Sequence, residues 1–229
     1  MQDVIGESLR LFYFENSPSL ISLAIDGIEQ EPMSAAYFFR TEEEMNDAEQ
    51  WALSLCRGRV LDVGAGAGCH ALILQQRGLQ VVAAEQSSKA CEVLSARGVH
   101  HVLNSDIMRV REELFDTILL LMNGFGIGRS EQGVVDLLRH LKTLLSPGGK
   151  IIGDSTDIRY FREESIELNL SDIPSSEVVF ELHANGMSER FSWVYPNEAL
   201  LEALAEEAGL KFRVLMYSDE FHFLCEMFV

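Results

Sequence analysis

Between residues 59 and 155 the spacing of apolar positions switches back and forth between two rhythms. RVLDV, LQVVAAE, VHHVLNSD, FDTILLLMN and KIIGDS are short runs, β-branched or continuously apolar, and each reads as a strand. HALILQQRG, SSKACEVLSARG and SEQGVVDLLRHLKTLLSPGG repeat their apolar residues at helical spacing. Gly78 and Gly98 stand where helix C-caps belong, Ser130 where an N-cap belongs, and Pro147-Gly148-Gly149 serves as a stop. Strand and helix in alternation predict a parallel sheet with helices on both faces. FDTILLLMN is the most hydrophobic run and is expected at the sheet centre.

The flanks follow other patterns. Residues 1–55 read as helical: DVIGESLRLFYF carries apolar residues at helical spacing, and NSPSLISLAIDGI resumes that spacing after Pro18. Thr41 and Glu44 form a capping-box pair ahead of MNDAEQWALSL. After residue 155, SEVVFELHANGMSERFSWVY reads as two strands around Asn185-Gly186, a strong hairpin signal. NEALLEALAEEAG is a capped helix, and LKFRVLMY and FHFLCEMFV are two further strands, antiparallel to each other. The chain therefore divides into a helical cap or lid over residues 1–55 and an α/β domain over 56–229. That domain has a seven-stranded, mostly parallel sheet and a hairpin insertion at about 176–195.

The 229 residues suffice for one large domain, and the formal net charge of −18 narrows the partners. A phosphate backbone would be repelled, and the 18 Lys and Arg are scattered rather than gathered into a patch, so nucleic acid is not an expected partner. A cationic or neutral small molecule suits the field better. Cys56, Cys69, Cys91 and Cys225 have neither paired nor metal-ligand spacing, and Cys91 and Cys225 fall in apolar patterns. No leader pattern opens the chain and no apolar run reaches the ~20 residues that cross a bilayer. A reduced, cytoplasmic protein without a membrane partner or bound metal is expected.

Chemistry concentrates at RVLDVGAGAGCH. Gly64, Gly66 and Gly68 let the backbone turn and approach a ligand, and the helix that follows presents free N–H groups. In open α/β sheets, ligands bind at such carboxyl ends of strands. Three acids close three successive strands: Asp62, Glu85 and Asp106. Glu85 lies about 20 residues beyond the glycines, where an acid can accept both ribose hydroxyls. Each acid could instead cap its own turn, Asp106 in NSD above all. A dinucleotide loop, G-x-G-x-x-G, would place Cys69 or Ala71 at its last position, and a carboxylate at Asp62 would oppose a pyrophosphate. Asp62 favours a ligand with a positive group.

VLDVGAGAG, VVAAEQS, NSDI, FDTILLLMNGFG and LLSPGGKIIGDS, in this order and spacing, resemble the class I S-adenosylmethionine-dependent methyltransferases across about residues 57–155. VYPNEALLEALAEEAGLKF is similar to that family's last helix and strand pair. The resemblance implies a Rossmann-like fold and S-adenosylmethionine as cofactor, with S-adenosylhomocysteine as product. It places Gly64, Ala65, Gly66 and Gly68 around the methionine portion, Asp62 near the ammonium and Glu85 on the ribose hydroxyls. Gln86 and Ile107 flank the adenine, Asp106 accepts from its amino group, and Asn123 offers a carbonyl near the methyl group. N-terminal helices often lid the donor site in this family. Arg40 is therefore expected at the cofactor carboxylate, and Tyr37 and Phe38 at the acceptor, with Trp193 of the hairpin on its far side. A staple and a surface arginine remain the alternative for the Tyr37–Arg40 stretch, and hairpin packing for Trp193.

Methyl transfer needs alignment above all, worth ~7–11 kcal/mol of a barrier. No residue declares itself as a base: His100 and His101 fall in the third strand, and His183 lies on the hairpin. LMNGFGIG lacks the Asn-Pro-Pro-Tyr pattern of base-modifying enzymes, and Asp154 and Asp157 make at most a weak metal cluster. The lid and hairpin suggest an enclosed site and a small-molecule acceptor. A protein that binds the cofactor without transferring methyl, or an NAD-dependent oxidoreductase, stays open, as does oligomeric state.

Overall fold

The structure, a computed structural model, describes residues 2–111, 113–158, 176–218 and 221–229. The main sheet has seven strands: β3 (Arg59–Val63), β4 (Gln80–Glu85), β5 (Val102–Asn104), β6 (Phe115–Leu120), β7 (Leu145–Thr156), β10 (Lys211–Tyr217) and β11 (His222–Phe228). Their order is β10-β11-β7-β6-β3-β4-β5. The first five in chain order pair in parallel, and β11 alone runs against its neighbours on both sides. The chain moves outward from β3 to β5, then returns to the other side of β3 for β6. That reversal opens a crevice beyond the carboxyl ends of β3 and β6.

Alternation along the strands builds two cores. Leu61, Val82, Ile118 and Leu120 face α5 (Glu131–Thr143) and α6 (Glu198–Glu207). Val60, Val81, Ala83 and Leu119 face α2 (Asp47–Ser54) and α3 (Cys69–Gln76). Because side chains alternate with a period of two, Asp62 shares the face of Val60, toward α2 and α3. Cys69, Cys91 and Cys225 are buried, as their apolar surroundings require. α4 (Ser88–Ala96) closes the β4 side, its N-cap Ser87 accepting from the Ala90 N–H.

The N-terminal segment departs from the helical expectation. Only α1 (Val4–Glu15) fulfils it; residues 20–34 form a hairpin of β1 (Leu20–Ile25) and β2 (Ile28–Ser34). Its turn is Asp26-Gly27, both at positive φ (51° and 79°), the signature of a tight hairpin that the apolar spacing of LISLAI masked. β1 also pairs with β8 (Glu177–Ala184), which pairs with β9 (Met187–Val194) through the expected Asn185-Gly186 turn. The insertion and the N-terminal hairpin are thus one antiparallel sheet, β2-β1-β8-β9. Thr41 and Glu44 do form a capping box, but around a single 3-10 turn; α2 has its own box from Asn46 and Glu49. β5 begins only at Val102, so exposed His100 and His101 precede it. The Pro-Gly-Gly stop is absorbed into β7, since α5 ends at Thr143. Among the described residues, no helix is long and apolar enough to cross a membrane.

Candidate functional site

The glycine loop is held from the neighbouring strand. Gly64 and Ala65 both donate to the Ala84 carbonyl, at 2.9 and 3.2 Å. One carboxylate oxygen of Glu85 accepts the Gly66 N–H at 3.0 Å and the other accepts the Ser87 N–H at 2.9 Å. Burial pushes Glu85 above the ordinary carboxylate range, while the N–H groups of Ser87, Gly66 and Gln86 pull it back. Gly68, at φ +84°, is the N-cap of α3, and a Cβ there would stand 2.6 Å from Leu94 Cδ2. A larger residue at that position would crowd Leu94.

A buried ion chain lies on the α2–α3 face. The first turn of α2 contributes Glu49, which accepts from Arg40 Nη2 at 2.6 Å and sits 3.0 Å from His70 Nε2. Burial works against the charge on both. Bonding to Glu49 and Cys69 and the charge of Asp62 nevertheless hold His70 well above its ordinary value, and His70 and Arg40 hold Glu49 below its own. Asp62, at the end of β3, receives the Ala71 N–H, and burial pushes its carboxyl up. Among the described residues, two buried side-chain atoms lack a hydrogen-bond partner: Asp62 Oδ2 and Arg40 Nε. One is an acceptor on an acid and the other a donor on a cation, the complement of an α-amino acid's ammonium and carboxylate. Glu49 and His70 carried no recognisable motif. The signal for Glu49 was a charge at a core position of α2, between buried Ala48 and Ala52.

The N-terminal segment covers this loop. Ser34 caps a 3-10 turn, Ala35–Phe39, and the Phe38 ring reaches to 3.6 Å from where a Gly66 Cβ would stand. Tyr37 is 42% exposed, and its ring lies under the Arg40 guanidinium at 3.6 Å. Arg40 Nη2 also reaches Met122 Sδ at 3.9 Å, joining this segment to the end of β6. Asp3, the N-cap of α1, accepts from the Ser87 hydroxyl at 2.6 Å, which anchors the segment beside Glu85.

Beyond β6 the backbone turns sharply, with Met122 and Asn123 both at φ +59°, into the 3-10 turn Gly124–Gly128. Ile127 from this turn reaches to 3.2 Å from where a Gly64 Cβ would stand, so the β3 and β6 loops meet at the crevice. The Asn123 carbonyl accepts from Gly126, and its side-chain oxygen accepts the Thr156 N–H at 2.7 Å. Its own N–H points at both Asp154 oxygens, each at 3.3 Å. Asp154 in turn bonds His222 Nε2 at 2.8 Å, and the Ser218 hydroxyl bonds His222 Nδ1. Sequence reading passed over His222, which sits 68 positions from Asp154 and comes beside it only through the antiparallel β7–β11 pairing. Trp193 packs on Gly126, where a Cβ would meet Nε1 at 2.0 Å, and against Phe180 and Phe191.

Asp106 is exposed and caps its own turn through the Met108 N–H at 2.9 Å, Ile107 is buried beneath it, and Gln86 is exposed at the start of the β4–α4 loop. His183 is exposed on β8.

A family model described as a methyltransferase domain matches residues 60–149. A crystal structure of an S-adenosylmethionine-dependent methyltransferase from Bacteroides fragilis, in complex with S-adenosyl-L-homocysteine, is 31% identical. It covers 99% of this chain and 94% of its own, at a TM-score of 0.88. The CcbJ methyltransferase from Streptomyces caelestis shares the fold at a TM-score of 0.60 and 16% identity, over 82% of this chain and 92% of its own. A cypemycin N-terminal methyltransferase from Streptomyces is 28% identical over 111 residues, 45% of this chain and 44% of that protein, so the match spans under half of its length.

Proposed function

The chain belongs to the S-adenosylmethionine-dependent methyltransferases, and within that family we propose that it methylates a small amine by in-line displacement. The observation that carries the cofactor assignment is the unpartnered pair, Asp62 Oδ2 and Arg40 Nε. Asp62 would take the ammonium and Arg40 the carboxylate, because Asp62 Oδ2 and Arg40 Nε are buried atoms left without a hydrogen bond. Glu85 already binds Gly66 and Ser87, and its remaining lone pairs would accept the two ribose hydroxyls. Ile107 offers an apolar floor to the adenine and Gln86 an edge; Asp106 would turn its carboxylate to the amino group.

S-adenosylmethionine brings a methyl group already activated on a sulfonium. The protein's share is to exclude water and align the nucleophile. Phe38 and Tyr37 close one side and Trp193 the other. An amine acceptor follows from the charge: the protein carries −18 overall, and Asp154 and Asp157 are buried at the end of β7. The rings of Phe180, Phe191 and Trp193, 5.6–6.4 Å apart, offer faces to an organic cation. The name of the cypemycin relative points the same way.

The test has two stages. Calorimetry with S-adenosylhomocysteine and NAD should detect binding of the first alone. Release of S-adenosylhomocysteine is then followed with tyramine, benzylamine and alanyl-phenylalanine amide, beside phenol and benzyl alcohol. Turnover of the amines, with inversion of a chiral methyl group, is expected; turnover of the alcohol or phenol alone would overturn the amine assignment.

A further inference from the structure

Resting on the reading that Arg40 and Asp62 grip the cofactor's amino-acid end, we propose that Glu49 and His70 are positioning residues for that grip. They set Arg40 and Asp62 at the two ends of a buried chain of alternating charge, which the ligand's carboxylate and ammonium close into a ring.

One oxygen carries the centre of the chain. Glu49 Oε1 accepts from Arg40 Nη2 at 2.6 Å and faces His70 Nε2 at 3.0 Å, while Oε2 accepts the Asn46 N–H at 3.4 Å. A carboxylate only accepts, so His70 Nε2 carries a proton. His70 is the second residue of α3, and the next residue, Ala71, donates its N–H to Asp62. The titratable groups described about the ring are Glu49, Asp62 and Cys69, and each favours the imidazolium. The order is then Arg40, Glu49, His70, Asp62: cation, anion, cation, anion. Its two ends carry the unpartnered atoms, Arg40 Nε and Asp62 Oδ2. Glu49, His70 and Asp62 are 4%, 6% and 3% exposed, so little solvent screens these charges.

Each link comes from a different element of the site. Arg40 belongs to the N-terminal segment, lies over the Tyr37 ring and reaches Met122 at the end of β6. Glu49 is fixed in the first turn of α2 by the capping box with Asn46. His70 rides on the helix that the glycine loop opens. A long arginine side chain loses rotamer freedom when a ligand orders it, and Glu49 orders it beforehand. Apolar side chains of the same bulk would stabilise the fold as well as a buried ion chain does. They could not hold one cation and one anion dry and ready for a zwitterion.

The test sets S-adenosylhomocysteine against methylthioadenosine, which shares the nucleoside and the thioether but has no amino-acid end. Calorimetry on the whole protein reads both affinities for the parent, Glu49→Gln, His70→Gln and Arg40→Gln. Glu49→Gln and His70→Gln should each weaken S-adenosylhomocysteine by about tenfold or more and leave methylthioadenosine within about twofold. A merely structural role would weaken both ligands alike and overturn the proposal. Tighter binding of S-adenosylhomocysteine by Glu49→Gln would make Glu49 a competitor of the ligand and overturn it too. Arg40→Gln separates the two readings. If it leaves the preference for S-adenosylhomocysteine intact, Arg40 does not grip the carboxylate and both readings fall. If it alone abolishes the preference, the grip stands and the positioning role falls. Should a variant fail to fold, nitrogen-15 NMR of the parent's histidines decides. His70 should carry protons on both ring nitrogens at neutral pH, and a neutral ring there would overturn the proposal.

Discussion

Glu85 accepts the backbone N–H of Gly66 at 3.0 Å, so the acid that ends one strand grips the loop that ends its neighbour. The same carboxylate caps the Ser87 N–H, and Ser87 bonds Asp3 of α1. One side chain thereby ties together the glycine loop, the start of α4 and the N-terminal segment. Glu85→Ala should weaken S-adenosylhomocysteine binding by about 1–3 kcal/mol, because it removes the proposed ribose acceptors and frees the loop at once. Isothermal calorimetry reads the loss, and an unchanged affinity would take Glu85 out of the site.

Asp62 behaves in the opposite way in the absence of ligand. Its Oδ2 is buried without a partner, and burial raises its pKa, so the ionised form costs stability once pH exceeds the ordinary carboxylate range. Asp62→Asn should leave ligand-free stability at neutral pH equal or higher. On the proposed role of Asp62 as counter-charge to the ammonium, the same change should weaken cofactor binding. Urea unfolding and calorimetry, run side by side, check the two signs; a loss of stability together with unaltered binding would make Asp62 purely structural.

The ion chain through Glu49 sets a pH window. Glu49→Ala strands Arg40 and His70 in the interior and should cost about 3–5 kcal/mol. His70 is raised in the fold, so its contribution is complete below its ordinary value of 6.5 and fades as pH climbs through the folded value. Glu49 is lowered, so its contribution is present above its ordinary 4.5 and is lost as pH falls through the depressed folded value. Stability should therefore fall on both sides of a plateau, and His70→Gln should flatten the alkaline side. Denaturant midpoints at a series of pH values supply the curve.

Gly68 and Gly186 separate two costs that glycine usually hides together. Both have positive φ, +84° and +73°, but a Cβ meets Leu94 at 2.6 Å at the first and nothing within 4 Å at the second. Gly186→Ala should cost about 1–2 kcal/mol for the left-handed backbone alone. Gly68→Ala should cost a further ~1–3 kcal/mol for overpacking. Equal losses in chemical denaturation would contradict the tight approach to Leu94.

Trp193→Ala should raise the KM for tyramine while leaving S-adenosylhomocysteine affinity within about twofold, because the ring packs on Gly126 rather than on the glycine loop. A change confined to cofactor affinity would move Trp193 to the other side of the crevice.

The parallel sheet was legible because its signals are local. Each strand of RVLDV, LQVVAAE and FDTILLLMN announces itself within a few residues, and Ser130 and Asn185-Gly186 mark their turns in place. The second sheet was not, because β1 finds its partner in β8, far along the chain, and Leu23↔Leu182 leaves no trace near either residue. The cofactor loop was readable for the same reason as the strands, since glycines and acids stand at fixed offsets from one strand end. His222, Asp154, Glu49 and His70 acquire meaning only from strand register and helix packing. A charge on the buried stripe of α2 was the one hint available, and it needed the helix boundaries to be seen.

The four-stranded sheet couples inheritance as well as structure. One half, β2-β1, comes from the N-terminal segment that roofs the glycine loop, and the other, β8-β9, carries Trp193 and the aromatic wall. Neither half can be exchanged alone without leaving β1 or β8 as a naked edge open to foreign strands. A change of acceptor by recombination must therefore transplant residues 20–34 and 177–194 together. The two hairpins are bound into a single module, though more than a hundred residues part them along the chain.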